Sequence, residues 1–329
     1  MMGYDMKNIL NTAMRFKNSN LYLIIVIISI LFISVYLFVS NIKTPESSVI
    51  ENNSATLADT YQKQIKEINT AALYAQVVPP EGVTFPFTWK NIGPRLIASG
   101  VIDLEKFRSL YESSGRPLTE EQITFFTEGS NETIYMTPEN GHFILNTLWA
   151  LGIANKNDLL SEGLMGQYAE NGKAGNLAST GGWNLGTKPG GELLNSAEII
   201  KLTPKQQAIV ERAASNSYRP CCNNPTSFPD CNHGAAALGL AELLASQGAT
   251  EKQIMEAVKA ANSIWFSRQY LELAVYFKVT EGKDWKDVDP QVIVSQKYSS
   301  SSGWGIMHKK LKEMGMLQKA SSNGSSCSV

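Results

Sequence analysis

The residues best suited to chemistry are clustered in one segment of the C-terminal half, YRPCCNNPTSFPDCNHG, which spans residues 218–234. It holds Cys221, Cys222, Cys231 and His233, although the whole chain has only four cysteines and three histidines. Thiolate and imidazole groups are ligands that copper(I) and zinc favour, and a tetrahedral site takes four of them. The segment therefore predicts a copper or zinc site. Because adjacent cysteines do not readily reach one ion, Cys327 near the C-terminus is a further candidate ligand.

Two other interpretations of the cysteines stay open. Cys231 can form a disulfide with Cys221 or Cys222, and Cys327 with the remaining one, if this part of the chain lies outside the cytoplasm, where disulfides persist. Alternatively, Cys231 is an activated thiol of a redox enzyme, because it precedes the helical stretch AAALGLAELLASQG, and a helix N-terminus favours a thiolate. His233 is two residues away and is expected to point to a different side of that helix.

Other features of the sequence do little to decide between a metal site, disulfides and an activated thiol. The segment lacks the CxxCH pattern of covalent haem attachment, and its cysteine spacing is not that of a zinc ribbon. Asp230 or Asn232 is expected to cap the helix that follows. The other histidines, His142 and His308, are treated as ordinary core or surface residues. No residue is assigned a catalytic role, so whether the protein is an enzyme stays open.

A glycine-rich stretch, GLMGQYAENGKAGNLASTGGWNLGTKPGG, occupies residues 163–191. So many glycines disfavour a long regular helix. The stretch matches neither the phosphate-loop nor the dinucleotide-binding pattern. Tyr168 and Trp183 indicate that it packs against the rest of the domain. An ordered surface loop and a loop that covers a ligand are both compatible with this composition.

The segments STGGWNLG, YRPCCNNPTSFPDCNHGAAALGLAELLASQGAT and the terminal SSCSV together resemble a family of membrane-anchored microbial proteins with YRPCC, FPDCNHG and a C-terminal cysteine. The resemblance covers roughly residues 160–329. The family has no established activity, so the resemblance implies no substrate. It implies only that the glycine-rich stretch, the cysteine cluster and the tail cysteine belong to one unit.

Residues 21–39, LYLIIVIISILFISVYLFV, form an apolar run without a charged residue, glycine or proline. A helix of about 20 residues spans the hydrocarbon of a bilayer. The run is longer than the apolar part of a cleaved signal peptide, and no small-residue cleavage site follows it. The basic residues Lys7, Arg15 and Lys17 precede it, so the N-terminus is expected in the cytoplasm and the remaining chain outside it. The sequence thus predicts a single-pass protein of the cell membrane.

The rest of the chain predicts one mainly α-helical domain. We expect a cytoplasmic tail at 1–20, the transmembrane anchor at 21–40, a polar spacer at 41–54, a helical extracytoplasmic domain at 55–317, and a flexible tail with Cys327 at 318–329. Helix starts are predicted at Thr119, Thr137-Pro138, Thr203-Pro204 and Thr250-Glu251, the last helix running to about residue 277. Short strand signals occur only near 131–136 and 291–295. The net charge of −1 gives no indication of a nucleic-acid partner.

Overall fold

The computed structural model describes residues 69–317, and in that range the protein is mainly α-helical, as predicted. The helices are short to medium in length and are joined by brief turns. In chain order they are α1 (Thr70–Val77), α2 (Ile92–Ala98), α3 (Leu104–Ser113), α4 (Glu120–Glu128), α5 (Gly141–Ala154), α6 (Asp158–Ser161), α7 (Leu164–Glu170), α8 (Ala178–Gly181), α9 (Gly190–Leu193), α10 (Pro204–Ser215), α11 (Asn232–Ser246), α12 (Glu251–Trp265), α13 (Ser267–Glu281), α14 (Pro290–Ile293), α15 (Gln296–Ser299) and α16 (Ser301–Glu313). Two 3₁₀ turns, Ala174–Asn176 and Trp285–Asp287, lie between them.

Several predicted elements lie wholly or partly outside the described residues. These are the cytoplasmic tail, the anchor at 21–40, the spacer, the first part of the helix expected from residue 55, and the tail that carries Cys327. Within residues 69–317, no helix is both long enough and apolar enough to cross a bilayer. Of the helix expected over 55–76, the described part is α1.

The described chain contains one two-stranded antiparallel sheet, formed by β1 (Val83–Lys90) and β2 (Ser130–Met136). The strand predicted near 131–136 is therefore confirmed. The strand predicted near 291–295 is wrong, because this stretch begins with the short helix α14. Pro290 is the first residue of α14, and the carboxylate of Asp289 caps its N-terminus, which is a local arrangement that favours a helix over a strand.

Capping threonines set the starts of several helices. Thr119, Thr203 and Thr250 each accept a hydrogen bond from the backbone of a glutamine three residues later, and that glutamine side chain bonds back to the cap. These three predicted starts are confirmed. The start predicted at Thr137-Pro138 is displaced, because residues 137–140 form a turn and α5 begins at Gly141.

The single helix predicted from Thr250 to about residue 277 is two helices. The chain leaves helical geometry at Phe266, whose φ is −128° and ψ 46°, so that α12 ends and α13 begins there. The apolar periodicity continues on both sides of the break. For this reason the sequence pattern alone gave no sign of it.

The centre of the core is the contact between α5 and α11, which are buried on nearly all sides. Gly152 of α5 packs against Ala235 of α11, and farther along the side chain of Asn157 donates to Glu242 at 2.6 Å. Residue numbers thus increase in the same direction along both helices. The two helices run parallel, and their N-termini lie at the same end of the domain.

The glycine-rich stretch 163–191 is ordered as short helices and turns rather than as one open loop. Trp183 is 2% exposed, and its indole N–H donates to the carbonyl of Val101 at 2.8 Å. Trp149 of α5 donates in the same way to the carbonyl of Ser179 at 2.6 Å. Its aromatic residues thus fasten the stretch to the core, as the composition predicted.

The close contact between α5 and α11 leads to a prediction for Gly152→Ala. A Cβ at this position would lie 1.8 Å from the carbonyl oxygen of Ala235, and both atoms belong to packed backbone. We expect the substitution to lower the free energy of unfolding by about 2 kcal/mol or more. Thermal or urea-induced unfolding of the full-length protein measures the change.

The matched control is Gly305→Ala in the middle of α16. A Cβ there meets nothing within 4 Å, so alanine is expected to stabilise the protein by about 0.5–1 kcal/mol. Equal effects of the two substitutions would contradict the proposed role of Gly152.

Candidate functional site

The cysteine-bearing segment lies between α10 and α11 and is held by three later parts of the chain. The backbone N–H of Tyr218 donates to Val294 at 2.7 Å, and its carbonyl accepts from the side chain of Asn262 at 3.0 Å. Ser301, the first residue of α16, donates its N–H to the carbonyl of Cys222 at 2.9 Å. Contacts to α12, to the residue that follows α14 and to α16 thus fix the position of the segment.

Inside the segment, the side chain of Arg219 is 1% exposed and organises the fold around itself. Its Nη1 donates to the carbonyl of Asn224 at 2.9 Å, and its Nη2 to the carbonyl of Phe228 at 3.4 Å. Nη2 also forms an ion pair with Asp230 at 2.6 Å, and Nε donates to the sulfur of Cys231 at 3.2 Å. A buried cation needs such a complete set of partners.

The three cysteines of the segment converge. A tight turn, closed by the 3.4 Å hydrogen bond from Cys222 N–H to the carbonyl of Arg219, directs both adjacent side chains toward Cys231. The three sulfur atoms lie within 4.8 Å of one another, and the Cys221 and Cys231 sulfurs are 3.5 Å apart. None of the three forms a disulfide. The expectation that neighbouring cysteines cannot face one point is therefore wrong, and the turn is the reason.

Cys231 itself caps α11. Its sulfur accepts a hydrogen bond from the N–H of Gly234 at 3.4 Å. The prediction that Asp230 or Asn232 caps this helix is therefore wrong. Asp230 is engaged by Arg219, and the side chain of Asn232 bonds to its neighbour His233. The sulfur of Cys231 thus lies where the positive end of the helix dipole stabilises negative charge.

The electrostatic surroundings separate the three thiols. Hydrogen bonds from Cys221 and Cys222, together with the charge of Arg219, hold the pKa of Cys231 well below its ordinary value despite its burial. The pKa of Cys221 is raised by its hydrogen bonds to Cys222 and Cys231. For Cys222, the bond from Cys221 lowers the pKa, but the bond to Cys231 and burial outweigh it and give about 11. These surroundings therefore favour the thiolate form of Cys231 over that of Cys221 or Cys222.

The side chain of His233 is not grouped with the three cysteine side chains. It is 8% exposed, its Nδ1 lies 2.9 Å from the side-chain oxygen of Asn232, and its ring packs on Phe266 with centroids 4.4 Å apart. Burial lowers its pKa to about 4, which keeps the ring neutral at physiological pH. The structure thus places His233 in the core beside the site, and Cys327 lies outside the described residues.

The two remaining histidines are also away from the sulfurs. His142 lies 3.1 Å from the hydroxyl of Tyr111, and His308 lies 2.8 Å from the carboxylate of Glu272. Sequence reasoning missed Arg219 and Gly234, which complete the site. A Cβ on Gly234 would lie 2.4 Å from the guanidinium of Arg219, so this glycine makes room for it. The only signal was their position within the cysteine segment.

The glycine-rich stretch contacts the cysteine segment directly. The N–H of Ser179 donates to the carbonyl of Asp230 at 3.0 Å, and the rings of Tyr168 and Phe228 lie 5.7 Å apart. One end of the stretch therefore supports the loop that carries Arg219 and the cysteines.

A Gly234→Ala substitution tests the electrostatic origin of the thiolate. The new methyl group displaces the guanidinium of Arg219 from Cys231 without removing its charge from the chain. We expect the pKa of Cys231 to rise by about one unit or more. The ultraviolet absorbance of the thiolate, followed against pH in the reduced, metal-free protein, measures this, with Cys231→Ser identifying the band and Gly305→Ala as the control. If the thiolate absorbance of Gly234→Ala titrates with the same pKa as that of the unsubstituted protein, Arg219 does not stabilise the thiolate of Cys231.

No known protein family, no curated protein and no solved structure matches this chain. What the protein does must therefore be inferred from the geometry of its own residues. The group that stands out is the set of three cysteine sulfurs, which is arranged so that it could hold a metal ion.

Proposed function

We propose that the protein binds one soft metal ion, copper(I) or zinc, through the sulfurs of Cys221, Cys222 and Cys231. The observation that carries the proposal is the convergence of three free thiols within 4.8 Å in a fixed segment. Thiolates are the ligands that select copper(I) and zinc over the harder ions magnesium and calcium. His233 is left out of the ligand set, because its ring is committed to Asn232 and Phe266.

The distance between the sulfurs of Cys221 and Cys231 agrees with the size of such an ion. Zinc–sulfur bonds are about 2.3 Å long, and two sulfurs 3.5 Å apart then subtend about 100° at the metal. A disulfide needs a sulfur–sulfur distance of about 2.05 Å. The observed separation of Cys221 and Cys231 thus suits a shared ion without movement, whereas a disulfide requires their sulfurs to approach.

Three protein ligands leave one position of a tetrahedral zinc ion open. Water or the sulfur of Cys327 can occupy it, while copper(I) is satisfied by three thiolates. With the anchor at 21–39 in the cell membrane and its N-terminus in the cytoplasm, the site would lie outside the cytoplasm near the membrane surface. There it would serve metal handling or a metal centre. This placement rests on the sequence.

A thiol redox enzyme is the alternative that the geometry favours less. Attack on a disulfide substrate requires an accessible thiolate. Here the exposed cysteine is Cys221, whose pKa is raised. Cys231 is half-buried, and its sulfur accepts hydrogen bonds from Arg219 and from the N–H of Gly234 at the start of α11. A metal ion can enter such a site more readily than a protein disulfide.

Metal titration of the reduced full-length protein in detergent tests the proposal. We expect one zinc or copper(I) ion per chain. Because the lowered pKa of Cys231 favours its thiolate, zinc should displace about two protons rather than three. Cys221→Ser, Cys222→Ser and Cys231→Ser should each weaken binding on the order of 100-fold, and Cys327→Ser by a similar factor only if its sulfur is the fourth ligand.

Two results would contradict metal binding. One is less than about a tenth of an equivalent of bound ion in protein whose thiols are reduced. The other is isolation of the chain with two intact disulfides that resist mild reduction, which would instead support a disulfide-stabilised binding or scaffold module. Non-reducing peptide mapping separates these forms.

The anchor has its own test. We expect the full-length chain to remain in the membrane fraction at alkaline pH, where peripheral proteins are released, and a chain lacking residues 21–39 to be soluble, because that run is the segment long enough to span hydrocarbon. Release of the full-length chain under the same conditions would show that the run is not a transmembrane helix.

A further inference from the structure

A second candidate site lies in a cavity of about 620 Å³ between the end of α3 and the start of α5. This volume is within the usual range for small-molecule sites. Its aromatic and apolar lining includes Tyr111, Pro117 and Phe143. The polar lining includes Arg116, Glu139 and His142.

One polar residue of the lining, His142, is held by a chain of hydrogen bonds that reaches into the core. The side-chain amide of Asn146, 1% exposed, donates to the hydroxyl of Tyr111 at 3.0 Å. That hydroxyl lies 3.1 Å from Nδ1 of His142. Because the Tyr111 oxygen accepts from Asn146, its hydrogen is available to Nδ1, which leaves the proton of the neutral imidazole on Nε2. His142 thus has an N–H that is free to donate to a ligand.

Two opposite charges line the same cavity. Among the residues that the structure describes, neither Arg116 nor Glu139 takes part in an ion pair. The positive charge of Arg116 acts on His142, whose pKa is lowered by burial and then by this charge. A hydrogen bond from Thr137 lowers the pKa of Glu139 and so favours its carboxylate.

The turn that carries Glu139 is fixed before any ligand arrives. The side chain of Asn140 accepts from the N–H of Thr137 at 2.8 Å and donates to the carbonyl of Tyr135 at 2.9 Å. In return, the hydroxyl of Thr137 accepts from the N–H of Asn140 at 3.3 Å. A fixed turn lowers the entropy lost when a ligand is bound.

We propose that this cavity binds a free amino acid with an apolar side chain, with Arg116 and the Nε2–H of His142 on its carboxylate and Glu139 on its ammonium group. A zwitterion matches the two unpaired charges at once, and its side chain lies against Tyr111 and Phe143. A simple carboxylate would leave Glu139 unpaired and repelled. An amine without a carboxylate would leave Arg116 unpaired and repelled.

This site is separate from the sulfur cluster. Its residues come from α3, α4, α5 and the turns beside them, and none of them is a cysteine. Amino-acid binding therefore does not rest on metal binding. The measurement is made on reduced, metal-free, full-length protein and repeated with zinc present, so that one proposal can fail without the other.

Calorimetric titration with L-phenylalanine is the first experiment, and two analogues supply the chemistry. N-acetyl-L-phenylalanine lacks the ammonium group, and L-phenylalanine amide lacks the carboxylate. We expect each analogue to bind at least about tenfold more weakly than the amino acid, because each leaves one charged group of the cavity without its partner. L-serine should also bind more weakly, since it lacks an apolar side chain.

Variants identify which residue recognises which group. Arg116→Gln should weaken phenylalanine about tenfold and abolish the preference for phenylalanine over its amide. Glu139→Gln should abolish the preference for phenylalanine over the N-acetyl compound. Tyr111→Phe keeps the ring but releases Nδ1 of His142, and should weaken binding of all ligands that carry a carboxylate. Arg108→Gln, an exposed arginine of α3 outside the cavity, is the matched control and should change nothing.

Either of two outcomes would overturn the proposal. The first is no binding of phenylalanine at about 10 mM, beyond the weak limit of ordinary ligand affinity. The second is equal binding of phenylalanine and both analogues, which would show that neither charge of the zwitterion is recognised. A loss of binding in Arg116→Gln with the amide preference intact would assign the carboxylate contact elsewhere and contradict the assignment made here.

Discussion

The buried guanidinium of Arg219 is the interaction on which the cysteine segment depends. A cation that is 1% exposed has lost its hydration, and only a full set of acceptors compensates for that loss. The segment supplies these acceptors by curling around it, with two carbonyls, the Asp230 carboxylate and the Cys231 sulfur. The same curl brings the adjacent cysteines against Cys231. The requirement of one buried charge thus explains both the shape of the loop and the position of its sulfurs.

A second constraint is the parallel contact between α5 and α11. Gly152 and Gly239 let the two backbones approach so closely that a Cβ at either position would overlap a carbonyl oxygen of the other helix. Since the helices are parallel, their N-termini lie at one end of the domain. One N-terminus carries the thiolate of Cys231, and the other carries His142 and the cavity beside it. Both candidate sites therefore follow from one packing contact.

The features predicted from the sequence are those that depend on neighbouring residues. The capping threonines at 119, 203 and 250 act within a single helical turn, so their pattern was sufficient. Strand β1 was not identified, because its ladder partner lies some fifty residues later and Pro86 interrupts its pattern. The break at Phe266 depends on packing rather than on a glycine or proline.

The candidate site shows the same division between local and distant information. The composition of the segment identified the cysteines, since few other residues in the chain have comparable chemistry. It did not indicate that Arg219 would be buried, because burial depends on α11 and on the room left by Gly234. The composition suggested His233 as a ligand because it lies close to the cysteines in the chain. In the structure, the start of α11 turns its imidazole toward Phe266. The direction of a side chain at the start of a helix depends on backbone geometry, which the spacing of residues in the sequence does not specify.

The charge of the site bears on which ion the proposed metal site would take. Without metal, the thiolate of Cys231, the guanidinium of Arg219 and the carboxylate of Asp230 leave one net negative charge. When zinc(II) replaces the protons of Cys221 and Cys222, two positive charges enter and two leave, so the net charge stays the same. Copper(I) bound to three thiolates adds one negative charge in a partly buried place, where uncompensated charge is unfavourable. For the proposed metal site, conservation of charge would therefore favour zinc at full three-thiolate coordination, and copper(I) only where one sulfur keeps its proton.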